Sequence, residues 1–90
     1  MQKQIILKIY GRVQGVSFRD GSRRKAKELH LSGFAQNEPD ETVRIVAEGE
    51  EKNLQELIKW CKDGPDHAKV EKVDVEWTSP TGEFNDFEIK

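Results

Sequence analysis

The chain has 90 residues, enough for one small domain spanning residues 1–90 and too few for two. Charged residues make up 36% of it and hydrophobic residues 34%, and because the latter recur in regular patterns we expect a folded domain with a highly charged surface. No apolar run approaches the roughly 18 residues of a membrane span, and the single cysteine, Cys61, excludes an internal disulfide and a cysteine-based zinc cluster. We therefore expect a soluble, cytoplasmic protein in a reducing compartment.

The charge is unevenly distributed along the chain. The net charge is −2, but residues 1–30 carry +6 and the remaining residues carry −8. Such a split is compatible with an anionic partner for the first third of the chain, and equally with a solvated basic helix face. Charge alone leaves both interpretations open.

The first half of the chain reads as strand, helix and hairpin. Alternating apolar residues in 4–10 predict a first strand, and helical spacing from Phe18 to Leu31 predicts a helix whose basic residues face solvent. A short strand is expected at 34–37, a hairpin loop at 38–41, and a third strand where apolar residues alternate over 43–47.

The second half continues with one helix and two strands. Apolar residues at i, i+3, i+4 and i+7 from Leu54 predict an amphipathic helix with Cys61 on its buried face, ending at Gly64 and Pro65. A strand is expected over 72–77, and a last short strand over 85–90 with Phe87 and Ile89 facing inward. The order βαββαβ with a small terminal strand predicts an α+β, ferredoxin-like sandwich, in which two helices cover one face of a mostly antiparallel sheet of four to five strands.

The stretch GRVQGVSFRD, residues 11–20, joins the first strand to the first helix. Gly11 and Gly15 allow successive backbone N–H groups to turn inward, and the helix directs the positive end of its dipole to the same place. The loop lacks the lysine and hydroxyl pair of a nucleotide-binding P-loop, so it favours a small phosphate over a nucleoside triphosphate. The loop alone does not exclude the alternative that the two glycines only shape the turn.

Arg19 favours the anion-binding interpretation. A cation in the first turn of a helix is unfavourable by ~0.3–1 kcal/mol, because it faces the positive end of the dipole. An anion in front of the guanidinium would remove that conflict, and the planar guanidinium can contact two phosphate oxygens at once.

GRVQGVSFR, the later GFAQN, the pair Asp40 and Val43, and the stretch GPDHAKVEKV together resemble the acylphosphatase family over essentially the whole chain. The resemblance implies the same ferredoxin-like fold. It also implies hydrolysis of the carboxyl–phosphate bond of acyl phosphates, which yields a carboxylate and inorganic phosphate without a metal or organic cofactor.

The resemblance also implies the roles of individual residues. Arg19 closes the first motif and corresponds to the arginine that binds the phosphoryl group. Asn37 closes the second motif and corresponds to the asparagine that positions the attacking water. The phosphate-binding backbone corresponds to Arg12, Val13, Gln14, Gly15, Val16 and Ser17. Catalysis by positioning and charge stabilisation suits this set, because an acyl phosphate already carries a good leaving group.

The sequence departs from the family pattern at a few positions. Ser17, His30 and Glu41 stand where glycine is common in the family, and Phe34 stands where tryptophan is frequent. At His30 a left-handed conformation would cost about 1 kcal/mol relative to glycine. The departure at Glu41 bears on the conformation of the hairpin turn rather than on the chemistry.

Other functions fit the sequence less well. An RNA-binding domain of this fold would stack bases on aromatic residues of its central strands, and the third strand, TVRIVAEG, has none. A domain that only binds a carboxyl or carbamoyl phosphate would not need the amide of Asn37. Ser17 has no base at a recognisable spacing, and Glu48, Glu50 and Glu51 read as a solvated helix start rather than a metal site. We expect a monomer that acts on a small acyl phosphate and binds neither nucleic acid nor membrane.

Overall fold

The computed structural model describes residues 1–90 and consists of five strands and two helices. Along the chain these are β1 (Gln2–Arg12), α1 (Phe18–Glu28), β2 (Ser32–Asn37), β3 (Val43–Glu50), α2 (Glu51–Asp63), β4 (Lys69–Thr78) and β5 (Phe87–Ile89). The order confirms the predicted βαββαβ arrangement with a small terminal strand.

The five strands form a single sheet in the order β4-β1-β3-β2-β5. The pairs β1–β3, β1–β4 and β2–β3 are antiparallel, and only β5 joins its neighbour β2 in the parallel sense. The mostly antiparallel ferredoxin-like sheet is therefore confirmed, with five strands.

The core lies between the two helices and one face of the sheet. Alternate residues of the central strands point into it, as the period of two predicts. Cys61 of α2 is fully buried there, and burial raises the pKa of its thiol, so it packs as a small apolar residue. The fully buried residues of the core are Ile5, Leu7, Ile9, Val13, Phe18, Ala26, Ala35, Val43, Ile45, Ala47, Leu54, Leu57, Cys61 and Phe87.

The opposite face of the sheet carries a buried carboxylate, Glu48. It accepts hydrogen bonds from Gln4 Nε2 (2.6 Å), the hydroxyl and backbone N–H of Thr81 (2.7 and 2.8 Å) and the backbone N–H of Gly82 (3.0 Å). Burial alone would raise the pKa of Glu48, but the bonds to Thr81, Gly82 and Gln4 outweigh it and the pKa is lowered. The expectation that Glu48 is solvated is therefore wrong: it anchors the loop between β4 and β5 to the sheet.

Helix α1 ends at Glu28, three residues before the predicted end. The backbone N–H of Leu31 bonds to Ala26 O (2.8 Å) and that of His30 to Lys27 O (3.1 Å), while His30 adopts a left-handed φ of 58°. These are the bonds of a Schellman motif, which closes a helix through one left-handed residue. The left-handed conformation expected at His30 is confirmed.

Boundaries of the predicted strands also shift, and β1, β3 and β4 are all longer than predicted. Strand β2 begins at Ser32 rather than residue 34, and β5 covers only Phe87–Ile89. Phe87 is buried as predicted, but Ile89 is 36% exposed. The inward orientation predicted for Ile89 is therefore only partly correct, because this residue lies at the rim of a surface cavity.

Candidate active site

A cavity of about 340 Å³ opens between the β1–α1 loop, the end of β2 and β5. It contains Arg19 and Asn37, two residues that are 18 positions apart in sequence and lie on different elements. The structure thus brings the two predicted site residues into one cavity. Its lining residues are Val13, Gly15, Ser17, Phe18, Arg19, Asp20, Asn37 and Ile89.

Gly11, near the end of β1, and Gly15, in the β1–α1 loop, are required for different reasons. At Gly11 the register of β1 against β4 shifts, φ is 124°, and an added Cβ would overlap the carbonyl oxygen of Lys69. Gly15 has a φ of 74° but faces open space. Gly11 therefore permits the close approach of two strands, whereas Gly15 permits the turn that borders the cavity.

The backbone of this loop presents unused hydrogen-bond donors. No N–H group of residues 13–17 donates a hydrogen bond within the chain. Ser17, the N-cap of α1, has a left-handed φ of 62° and makes no side-chain cap bond. Unbonded donors at the positive end of a helix dipole form a concave site that suits an anion.

Arg19 is held in place by the far end of the chain. Its Nη1 donates a hydrogen bond of 2.9 Å to the backbone carbonyl oxygen of Lys90, which follows β5 directly. A guanidinium has five N–H donors in one plane, so this bond fixes the group while leaving other donors for a ligand.

Asn37 is the last residue of β2 and is half-buried, opposite Val43 of β3. The neighbouring amide of Gln36 bonds to the carboxylate of Glu38 (3.3 Å), but the side-chain amide of Asn37 has no hydrogen-bond partner within the chain. It is therefore free to bind a water or a ligand in the cavity.

The side chains of the other predicted phosphate-loop residues lie outside the cavity. Arg12 is exposed at the end of β1, where it lies opposite Lys69 of β4 in the strand register. Val16 is partly buried and packs against the core. Gln14 donates from Nε2 to the carbonyl oxygens of Glu38 (2.8 Å) and Thr42 (2.9 Å). These three residues could contribute to an anion site only through their backbone.

The bonds of Gln14 connect the β1–α1 loop to the hairpin between β2 and β3. The sequence places Gln14 in the loop but does not predict this side-chain role, because nothing in the spacing relates residue 14 to residues 38 and 42. Asp20 is a second residue that the sequence analysis does not single out: this acid lines the cavity and pairs with Arg24 at 2.8 Å. The i,i+4 spacing of Asp20 and Arg24 is the signal that could have indicated the pair.

The β2–β3 hairpin has its own polar network around Asp40. Its carboxylate accepts hydrogen bonds from the hydroxyl (2.6 Å) and backbone N–H (3.2 Å) of Thr42 and pairs with Lys8 at 2.9 Å. The hydroxyl of Thr42, followed by Lys8 and the backbone of Thr42, lowers the pKa of Asp40 to about 2. Glu41, next in the turn, has a left-handed φ of 71°, so all three residues in family glycine positions adopt positive φ.

The structure contains neither a metal-ligand cluster nor a membrane-spanning helix. No group of three or more His, Cys, Asp or Glu side chains is placed to bind a metal ion. Neither helix has the length and apolar character that crossing a bilayer requires.

The sequence profile of the family described as Acylphosphatase matches residues 5–89. The chain belongs to the acylphosphatase family. It is 49% identical over 81 residues to an acylphosphatase of Roseiflexus sp., covering 90% of this chain and 87% of that protein. It is 44% identical over 88 residues to one of Rubrobacter xylanophilus, covering 98% and 80%.

A solved structure agrees with this assignment. The crystal structure of acylphosphatase from Bacillus subtilis superposes with a TM-score of 0.94 at 33% identity, covering 100% of this chain and 99% of that one. The family predicted from the motifs is thus confirmed, and the chain is a hydrolase of the acylphosphatase type. The individual roles assigned to Arg19, Asn37 and the loop remain predictions.

Proposed function

We propose that the chain hydrolyses the carboxyl–phosphate bond of a small acyl phosphate by in-line attack of water on phosphorus, in the cavity that contains Arg19 and Asn37. The products are a carboxylate and inorganic phosphate. The observation that carries the proposal is that Arg19, Asn37 with its unbonded amide, and loop residues whose backbone N–H groups have no acceptor within the chain line one cavity.

The phosphoryl group would be bound by Arg19 and the loop backbone. The N–H groups of residues 12–17, with the guanidinium, would hold the three non-bridging oxygens as charge redistributes in the transition state. Since Lys90 already fixes the guanidinium at 2.9 Å, little reorganisation is needed when substrate binds.

The amide of Asn37 would orient the attacking water. An amide cannot act as a general base, so the proton of the water passes to an oxygen of the substrate's own phosphoryl group. The breaking bond leaves its electron pair on the carboxylate, which is stable at neutral pH and needs no acid catalyst.

A domain that only binds a carboxyl or carbamoyl phosphate is the alternative. The free amide of Asn37 at the cavity favours turnover, because binding a phosphate needs only the cationic and N–H donors. We further propose that the chain acts as a single domain over residues 1–90, in the cytoplasm and as a monomer.

Hydrolysis of benzoyl phosphate by the purified protein in isotopically labelled water tests the proposal. The expected result is turnover that persists with a metal chelator, with the label in inorganic phosphate rather than in benzoate. Label in benzoate would place the attack at the acyl carbon and overturn the mechanism, and absence of turnover would favour the binding domain.

A further inference from the structure

A row of cationic side chains continues from the cavity along α1. Arg19, Arg23 and Lys27 are spaced four residues apart, so they lie on one side of the helix with about 6 Å of rise between successive members. Like charges at this spacing repel and disfavour the helix. An anion bound beside them would weaken this repulsion.

The chain itself supplies only part of that compensation. Lys27 pairs with Asp86 at 3.4 Å, and Arg24, on a neighbouring side of the helix, pairs with Asp20 at 2.8 Å. Arg23 is exposed and makes no salt bridge, and it acts on Asp86 only through longer-range attraction.

Arg23 is also next to the proposed site. It lines a surface depression of about 230 Å³ together with Asp20, Arg24 and Lys27, and Asp20 lines both this depression and the cavity with Arg19. A ligand whose phosphoryl group lies at Arg19 would extend toward Arg23 past Asp20, whose carboxylate is already paired with Arg24 at 2.8 Å.

We infer that Arg23 selects acyl phosphates whose acyl part carries a second anionic group, a carboxylate or a phosphate. The inference rests on the proposed function, since it assumes that the phosphoryl group is bound at Arg19. The second anion would bind the guanidinium of Arg23 and remove the repulsion along α1, whereas a neutral acyl group would leave it in place.

Two matched substrates test the inference: para-carboxybenzoyl phosphate and its methyl ester, which differ in charge but little in shape or leaving-group chemistry. The wild-type protein is expected to have a kcat/KM about two- to fivefold higher for the carboxylate than for the ester. Arg23→Gln should bring this ratio close to one, and Arg23→Glu should make the ester the better substrate.

Arg44→Gln is the matched control. Arg44 is an exposed arginine of β3 without a salt bridge, and its alternation with the buried Val43 and Ile45 places it on the sheet face away from the helices. This variant should keep the wild-type ratio. Equal kcat/KM for both substrates in the wild type, or equal changes in the Arg23 and Arg44 variants, would overturn the inference while leaving the proposed function intact. Failure to hydrolyse either substrate would overturn both.

Discussion

The side-chain amide of Gln14 donates a hydrogen bond of 2.9 Å to the backbone carbonyl of Thr42, and a second of 2.8 Å to that of Glu38. The two acceptors belong to the hairpin that follows Asn37. One side chain thus connects the loop proposed to bind phosphate with the hairpin next to the proposed water-positioning residue, and it fixes the distance between them.

Gln14→Leu should loosen this connection. Loss of two hydrogen bonds should destabilise the fold by about 1–3 kcal/mol and lower kcat/KM for benzoyl phosphate, because the loop and Asn37 are no longer held together. Urea unfolding and steady-state kinetics measure the two effects. Gln55→Leu is the control, since the amide of Gln55 reaches only Glu51, at 3.4 Å on the surface of α2. Identical kinetics in the two variants would refute a positioning role for Gln14.

Arg19→Lys should retain the charge but lose the planar guanidinium. We expect kcat/KM for benzoyl phosphate to fall by roughly 10³ or more, as for other arginines at transferring phosphoryl groups. The unfolding midpoint should fall only slightly, through loss of the bond to Lys90 O. A Lys variant within tenfold of wild type would show that positive charge alone suffices at this position.

Asn37→Ala should separate turnover from binding. Without the amide that orients water, kcat should drop by about 10²–10³. Affinity for inorganic phosphate, measured by calorimetry, should stay near that of the wild type, because Arg19 and the loop backbone are intact. Gln36→Ala provides the comparison, since that neighbouring amide bonds to Glu38 and does not line the cavity. Wild-type kcat in the Asn37 variant would exclude the assigned role.

The sequence predicted what depends on local periodicity and missed what depends on contacts between distant segments. The amphipathic pattern from Leu54 gave α2 correctly, and the glycine spacing indicated the turn before α1. The burial of Glu48 was missed, because its four donors come from Gln4, Thr81 and Gly82, which no local pattern relates to residue 48. The same reason explains why the link from Gln14 to the hairpin was not foreseen.

His30→Gly should stabilise the fold. His30 has a φ of 58°, which glycine adopts without steric cost, and its side chain is exposed. We expect a gain of about 1 kcal/mol, which for a chain of this size raises Tm by about 4–8 °C. His30→Ala keeps the steric conflict at Cβ and should bring no such gain. A lower Tm for the glycine variant would contradict this explanation.

Asp40 should make stability depend on pH in the acid range. Its pKa is lowered from 3.8 to about 2 by the hydroxyl of Thr42, by Lys8 and by the backbone of Thr42. A carboxylate with a lowered folded-state pKa contributes stability that is fully present above pH 3.8 and is lost as pH falls through 2. Asp40→Asn should therefore be less stable than wild type at pH 6, and the two unfolding curves should converge near pH 2. If the difference in unfolding free energy between wild type and variant stayed constant over this pH range, the charge of the Asp40 carboxylate would not contribute to stability.

Strand β5 is attached to the sheet through only three residue pairs with β2, yet it supplies Ile89 to the rim of the cavity and is followed by the carbonyl that holds Arg19. Short edge strands are the first to fray when a protein is weakened. Catalysis would therefore be lost at a lower denaturant concentration than the concentration that unfolds the core between the central strands and the helices. The enzyme would pass through a folded but inactive form whose guanidinium is no longer restrained.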